Sequence, residues 1–297
     1  DYFAGPVSRF DVPLMWSTLR SYAQFQWPGY PEDSHINLAK GLGGAGVIGH
    51  DMTYIRAQPS DMHSWNVPGL SWKHMQELYQ SLEHFRPLQN KLDPETGEVL
   101  VPDYHGNRGP IATTEEGLDP LGKLFVEASV HAGVATHTED FNNPNETRCS
   151  VAGAFHVNVA GGVRDSPALQ FLRPIIQDPN LALQTEATAT RVLLTPVVQD
   201  GIDSKHRQNT QRAYGVQFVT KGVSHIAYLR MALPQQVAKE ITGGYPRGVL
   251  LTAGAINSAQ LLMNSGIGPA DQLYQAESKV LSEGVGRNLQ DHVTVGL

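Results

Sequence analysis

Five glycines fall within nine residues at Gly41-Leu-Gly-Gly-Ala-Gly46-Val-Ile-Gly49. Neither a regular helix nor a strand tolerates that density, because glycine gives up more backbone freedom on folding than any other residue. The stretch must be a loop whose main chain turns through positive φ or lies against something that leaves no room for a Cβ. Gly41-x-Gly43-x-x-Gly46 formally matches the dinucleotide fingerprint. That fingerprint needs a strand before it, a helix after it and an acidic residue about 20 positions on. Here His35–Ala39 make a poor strand, while Gly49, Thr53, Tyr54 and Ile55 favour extended structure over helix. Asp61 follows Pro59-Ser60 rather than a strand end. The nicotinamide fingerprint is therefore rejected. Two readings stay open: a glycine loop laid along some other large ligand, and a glycine turn with no ligand.

Composition removes several classes of function. With 40% hydrophobic and 17% charged residues, the 297-residue chain has the make-up of a globular protein, not a disordered one. Its 22 Lys+Arg against 29 Asp+Glu give a net charge of −7, which argues against a nucleic-acid partner. No run of about 18 apolar residues is present, so no membrane span is expected. The single Cys149 excludes an internal disulfide. Twelve histidines include His131 and His137 ahead of Glu139-Asp140, but none has zincin spacing, and no metal site is expected. Glu115-Glu116 are chain neighbours that point apart, which is a poor carboxylate pair. Asn145-Glu146-Thr147 fits either a glycosylation acceptor or a polar turn. The absence of Gly-x-Ser-x-Gly argues against an α/β-hydrolase.

Periodicity predicts a helix over 72–85, capped by Ser71 and stopped by Pro87, with an apolar stripe of Trp72, Met75, Leu78, Tyr79, Leu82 and Phe85. A second helix over 120–132 has Asp119 as its cap, Pro120 in its first turn and Gly133 at its end. Leu121, Leu124, Phe125 and Ala128 are expected to be its buried face. Residues 86–118 read as a long polar surface excursion. Residues 154–160 alternate like a half-buried strand, Gly161-Gly162 turns the chain, and 166–172 reads as a short helix closed by Pro174. Strands follow at 187–194 and around Tyr214, Val216 and Phe218, separated by a polar tip at 199–211. Val249–Ala253 reads as a short apolar strand leading into a helix that ends at Gly266.

Several blocks, taken together, resemble one family. Gly254-Ala-Ile-Asn-Ser-Ala-Gln-Leu-Leu-Met-Asn-Ser-Gly-Ile-Gly-Pro269 is similar to the second signature of the glucose–methanol–choline (GMC) oxidoreductases, FAD-dependent enzymes that oxidise alcohols. Gly284–His292 resembles the family's Gly-Val-Gly-x-Asn-Leu-Gln-Asp-His. Lys40–Gly46, running on to Met52-Thr-Tyr-Ile-Arg56, resembles the first signature. His105-Gly106 with Gly109-Pro110, and Gly162-Val-Arg-Asp-Ser166 with Phe171-Leu-Arg-Pro174, match further family segments in the family's order. The first signature departs from the usual Leu-Gly-Gly-Ser-Ser-x-x-Asn-x-Met. Ala45-Gly46 replace the serines, Gly49 stands where Asn is usual, and one extra residue precedes Met52, so that His50 or Asp51 takes the Asn's place. Ala259 sits where the second signature usually has Pro or Ser.

The resemblance implies an α/β (α+β) fold, with an FAD-binding Rossmann-like domain interrupted by a substrate domain of antiparallel sheet and helices. On that reading 1–60 and 181–297 belong to the FAD-binding domain and 61–180 to the substrate domain. It implies FAD as cofactor and a small-molecule alcohol as substrate, oxidised by hydride transfer to flavin N5. Cofactor contacts are then expected from Gly41, Gly43, Gly44, Ala45, Gly46, Gly49, His50, Asp51, Met52 and Thr53. Ala189 occupies the place of a residue whose backbone meets the adenine. The family's Gly-x-Gly-x-x-Gly diphosphate loop and its catalytic histidine are expected to lie outside these 297 residues, so no catalytic residue is named and the chain is expected to be a fragment inactive by itself. The alternative is a non-catalytic nucleotide-binding remnant or paralogue.

Overall fold

A computed structural model describes residues 8–12, 15–19, 21–28, 38–49, 53–87, 94–97, 99–115, 117–145, 151–152, 156–157, 159–196, 211–229, 248–273 and 280–291. The chain divides into two compact units, Asp1–Leu181 and Ala182–Leu297. It mixes helices with parallel and antiparallel strands, as an α/β protein does.

In the first unit, α1 (Trp16–Leu19) and α2 (Ala45–Ile48) pack around a small apolar cluster of Leu19, Val47, Ile48 and Ala168. Phe10 and Phe25 close it edge to face, with ring centroids 5.1 Å apart. The aromatic N-terminal stretch thus has a job that its lack of period concealed: it roofs the turn that follows the glycines. That turn is helical, but only for the four residues Ala45–Ile48, ahead of the Gly49–Ile55 stretch expected to be extended. By Thr53 the chain is bridged to Val157 in antiparallel fashion, so the extended tendency wins after one turn.

Next come α3 (Pro59–Trp65) and α4 (Trp72–Leu82). Gln58 and Asp61 form a reciprocal capping box at the start of α3. The stripe predicted to run through Phe85 as helix breaks at Glu83, and β1 (Glu83–Phe85) begins there. It pairs in parallel with β2 (Ile111–Glu115), Glu83 opposite Ile111. Residues 86–118 are therefore not simply a surface excursion. They contain a strand with Ala112 and Thr113 buried, and they bring His105 inside. The error has a physical source: beside Phe85 and Ala112 these segments bury the polar Glu83, His105 and Thr113, which hydrophobic periodicity cannot register.

Helix α5 (Pro120–His131) is capped as expected, the Asp119 carboxylate accepting from the Gly122 amide at 2.6 Å. Its inward face is not the expected one. Leu121, Leu124 and Phe125 are 75%, 62% and 53% exposed, while Val126 is buried, with Gly122 and Ser129 half-buried beside it. These three residues lie at i, i+4 and i+7, a stripe with two small side chains. It lets the helix approach the short parallel pair β3 (Thr136–His137) and β4 (Val151–Ala152).

The expected strand at 154–160 is present as two pieces, β5 (His156–Val157), which extends the β1–β2 sheet, and β6 (Val159–Ala160). β6 turns at Gly161-Gly162 (φ 59° and 79°) into β7 (Val163–Arg164), a two-residue hairpin of the primed kind. Pro174 does not close the following turn. It sits inside a second one, Arg173–Ile175, which continues the wide helical turn Ala168–Leu172.

The second unit is built on an antiparallel sheet of β8 (Ala187–Pro196), β9 (Gln211–Thr220) and β10 (Val223–Tyr228), with β9 central. Lys221 and Gly222 (φ 50° and 78°) form the tight β9–β10 turn, and both must be left-handed for the strand twist to match. The polar tip between β8 and β9 lies outside the described residues. Helix α6 (Gly254–Asn264) ends at Gly266, φ 82°, as expected. Residues 249–253, expected as a strand, form none. A strand exists through its ladder, no described segment pairs with this one, and Leu250 is 87% exposed. Parallel β11 (Ile267–Gly268) and β12 (Val280–Leu281) close the unit.

Candidate functional site

The glycine loop has two unlike faces. Gly43 (φ 90°) is pressed inward: a Cβ there would sit 2.7 Å from Val47 Cγ1 and 2.9 Å from Ala168 Cβ. At Gly46 a Cβ would meet the Pro167 ring at 3.3 Å. Among the described residues, Gly41 and Gly44 (φ 58°) have no atom within 4 Å of where a Cβ would stand. Two glycines thus exist for packing and two present bare main chain to open space. The loop is braced from behind by Arg164, which is buried and donates to the carbonyls of Gly49 at 3.0 Å and Gly46 at 3.4 Å. Arg164 and its neighbours Asp165 and Ser166 come from the Gly-x-Arg-x-Ser block. Asp165 fixes this block in turn, accepting from the Ala112 amide at 2.6 Å and from the Gln170 side chain at 2.6 Å.

Downstream of the loop lies a buried polar knot. Arg56, Glu83, His105, Asp140, Asn142 and Thr113 are all at or below 9% exposure and come from five separate stretches of sequence. The Arg56 guanidinium pairs with Glu83 Oε2 and donates to the Tyr104 carbonyl at 2.5 Å. It also lies over the rings of Tyr54 and Tyr79, 5.9 and 5.4 Å from their centroids. His105 reaches Glu83 Oε2 through Nδ1 and Asp140 Oδ2 through Nε2, both at 2.8 Å, and its ring stacks on Phe85 at 4.0 Å. The Asn142 carboxamide then pins the backbone of the segment after the loop, accepting from Arg56 N at 2.8 Å and donating to Tyr54 O at 3.0 Å. Gly106 and Gly109 are required because a Cβ at either would overlap the backbone of the α4–β1 junction.

The knot shifts its own titrations. Burial alone would raise the Glu83 carboxyl, but hydrogen bonds and charge from His105, with Arg56 and Thr113, outweigh it and hold Glu83 below its usual range. Burial alone would lower His105, but the hydrogen bonds from Asp140 and Glu83 outweigh it and raise the imidazole. The Tyr54 phenol is pushed up by burial and by the charge of Glu83.

In the second unit, Ala189 lies on β8 where the register with β9 shifts between Ala189 and Arg191. The irregularity is held from the side by Ser265, buried at the end of α6. Its hydroxyl accepts from Val192 N at 2.8 Å and donates to Leu261 O at 2.5 Å.

Of the residues expected from sequence, Gly41, Gly43, Gly44, Ala45, Gly46 and Gly49 form one loop and its following turn, and Thr53 starts the pinned segment. His50, Asp51 and Met52 lie outside the described residues. Ala189 belongs to the other unit. Among the described residues no cluster of His, Cys, Asp and Glu could hold a metal ion. Asp140, noted beside His137, serves His105 instead. Sequence reasoning missed Glu83, Asn142, Asp140 in this role, and Ser265. Only the motifs that supply Arg56, His105 and Ser265 hinted that something binds them.

The sequence model of the GMC oxidoreductases matches residues 32–294. The chain belongs to that family. An oxygen-dependent choline dehydrogenase of Cronobacter sakazakii is 34% identical over 99% of this chain and 48% of its own length. An alcohol dehydrogenase (acceptor) of Pseudomonas putida is 32% identical over 87% of this chain and 40% of its own. Among solved structures, pyridoxine 4-oxidase from Mesorbium loti superposes with a TM-score of 0.63 at 20% identity, over 91% of this chain and 46% of that one. The chain thus spans about half the length of the curated relatives it matches. The cofactor of GMC oxidoreductases is FAD. The loop fits such a group: one face is packed and braced, and the other, at Gly41 and Gly44, carries no side chain to keep a large cofactor away from the backbone amides.

Proposed function

We propose that this GMC chain supplies the FAD-contacting loop and part of the substrate side of an oxidoreductase acting on the CH–OH group of alcohols. The single observation that carries this reading is the family match over residues 32–294, a span that includes the glycine loop, the Arg56 and His105 motifs, the Arg164 block and the α6 signature. In it, 1–60 and 181–297 serve FAD and 61–180 the substrate. When bound, FAD supplies the two-electron acceptor for the oxidation, taking hydride at N5.

The chain's own residues do the orienting. Main chain at Gly41 and Gly44 approaches the cofactor, Arg164 stiffens the loop from behind, and the knot fixes where Thr53 and the segment after it lie. Ala189 presents its backbone to the adenine. His105 is not the base that takes the hydroxyl proton, because both its ring nitrogens are engaged.

The test is an absorbance scan of the purified protein, before and after incubation with FAD, followed by anaerobic addition of choline and of a primary aliphatic alcohol. Flavin bands near about 375 and about 450 nm are expected, and in the whole protein the latter is bleached by an alcohol. A protein that binds flavin and is never bleached is the non-catalytic alternative. A protein that takes up no flavin contradicts both readings.

A further inference from the structure

The knot demands a particular protonation state. Glu83 Oε2 receives Arg56, the His105 ring at 2.8 Å and the Gly106 amide at 3.0 Å, and Oε1 receives the Thr113 hydroxyl at 2.7 Å. Arg56 and the Gly106 amide can only donate, the Thr113 hydroxyl is free to donate to Oε1, and the guanidinium beside Oε2 favours the ionised form, so the carboxyl is a carboxylate with its titration held low. Asp140 Oδ1 takes the Asn142 amide at 2.7 Å, and its Oδ2 faces His105 Nε2 at 2.8 Å. A neutral imidazole has one N–H and one lone pair. Set between two carboxylate oxygens at 2.8 Å, it would aim that lone pair at one of them; an imidazolium donates to both. Placing the proton on Asp140 instead would put it on the weaker base, since carboxyl groups ordinarily titrate near 3.9 and imidazole near 6.5. Charge points the same way. Among these four described side chains, Arg56, Glu83, Asp140 and His105, the formal charges sum to −1 with neutral His105 and to zero with an imidazolium.

We infer that His105 is a positioning residue that works as an imidazolium, joining Glu83 to Asp140 so that Arg56 and Asn142 hold the segment 53–58 in one place. Four of the bonds on that segment's end of the knot span 27 to 88 residues of sequence, so nothing local can replace them. What the segment faces in FAD rests on the proposed function; the protonation state and its mechanical effect do not. Among the described residues, the groups that face the imidazole are Glu83 from β1, Asp140 from the 138–142 turn and Arg56, with the phenols of Tyr54, Tyr79 and Tyr104 around them.

The pH dependence follows with a definite sign. A raised imidazole contributes stability that is complete below its unfolded value and is lost as pH rises through its folded value. The lowered Glu83 contributes stability that is present above its unfolded value and is lost as pH falls through its folded value. The knot is therefore tightest between the two and opens on the alkaline side through His105.

The experiment is nitrogen-detected NMR of the imidazoles in the full chain, with amide hydrogen exchange, from about pH 5.5 to about pH 9. The expected result is a His105 doubly protonated at neutral pH, titrating above the ordinary imidazole value. The Arg56 amide should then lose protection about tenfold per pH unit above that titration, after correction for intrinsic exchange. In Glu83→Gln the remaining Arg56–Asp140 charges balance without an imidazolium, so His105 should titrate lower by about one unit or more. If that variant does not fold, the wild-type titration decides alone. A His105 that is neutral on one nitrogen near about pH 7, or an Arg56 amide indifferent to its titration, overturns the inference. Failure to bind FAD would contradict the proposed function and leave both readouts standing.

Discussion

The knot of the first unit and the sheet of the second hold their backbone by opposite means. β8, β9 and β10 are neighbours in sequence, carry alternating β-branched and aromatic residues, and need only a ladder and a two-residue turn. Arg56, Glu83, His105, Asp140 and Asn142 are scattered over nearly ninety residues of chain, and they replace an apolar core with charges that satisfy one another. The first arrangement degrades gradually, because each rung contributes a little. The second is close to all-or-none, because removing one partner strands the others in a place without water.

The largest effect is therefore expected at the centre of the knot. Glu83→Ala leaves Arg56 and His105 buried without their carboxylate and should cost about 3–5 kcal/mol in denaturant unfolding, enough to unfold a marginal domain. A loss under about 1 kcal/mol would mean that the contrast with the sheet is wrong.

In the second unit, Ser265→Ala orphans the buried Val192 amide and should cost about 1–3 kcal/mol. Hydrogen exchange should show that loss confined to the β8 bulge and the end of α6. A loss spread over the whole sheet would show that its rungs are less independent than supposed.

The two faces of the glycine loop offer a finer comparison. Gly43→Ala meets both positive φ and Val47 and Ala168, whereas Gly44→Ala meets positive φ alone. Thermal melts should place Gly43→Ala lower by about 1–3 kcal/mol, because overlap with Val47 and Ala168 adds to a backbone penalty that Gly44→Ala carries alone at φ 58° and ψ −142°. Equal losses would remove the distinction between a packed and an open face.

The smallest effect is expected on α5. Leu124→Lys should change unfolding free energy by less than about 0.5 kcal/mol, because the side chain is already in solvent. A larger loss would restore the apolar face read from the sequence.

That last case shows what sequence could convey. The Asp119 cap, the stop at Gly266, the turn at Gly161-Gly162 and the long strands of the second unit were legible, because each is set by local backbone preference or by alternation of apolar residues. The inward face of α5 was not, because Leu121, Leu124, Phe125 and Ala128 form a better apolar stripe than Gly122, Val126 and Ser129, and only close approach to β3 and β4 favours the smaller one. β1 and β2 were not legible either, because Glu83 and Thr113 are polar residues turned inward. In the candidate site the glycine density announced a loop that bares its backbone, and the motifs flagged Arg56, His105 and Arg164. Nothing in the spacing linked His105 to Glu83 and Asp140, since that link depends on pairing between β1 and β2 and on the return of the chain at 138–142. Ser265 was visible as a letter of the α6 signature, but its service to the β8 bulge, 73 residues away, was not.

The most direct test of the account is a titration of FAD into the full chain, followed by flavin fluorescence, alongside Gly44→Val and Leu124→Lys. The account predicts saturable binding that Gly44→Val weakens by about tenfold or more, since its side chain fills the open face of the loop, and that Leu124→Lys leaves unchanged. Binding that is absent, or that Gly44→Val does not disturb, would contradict it.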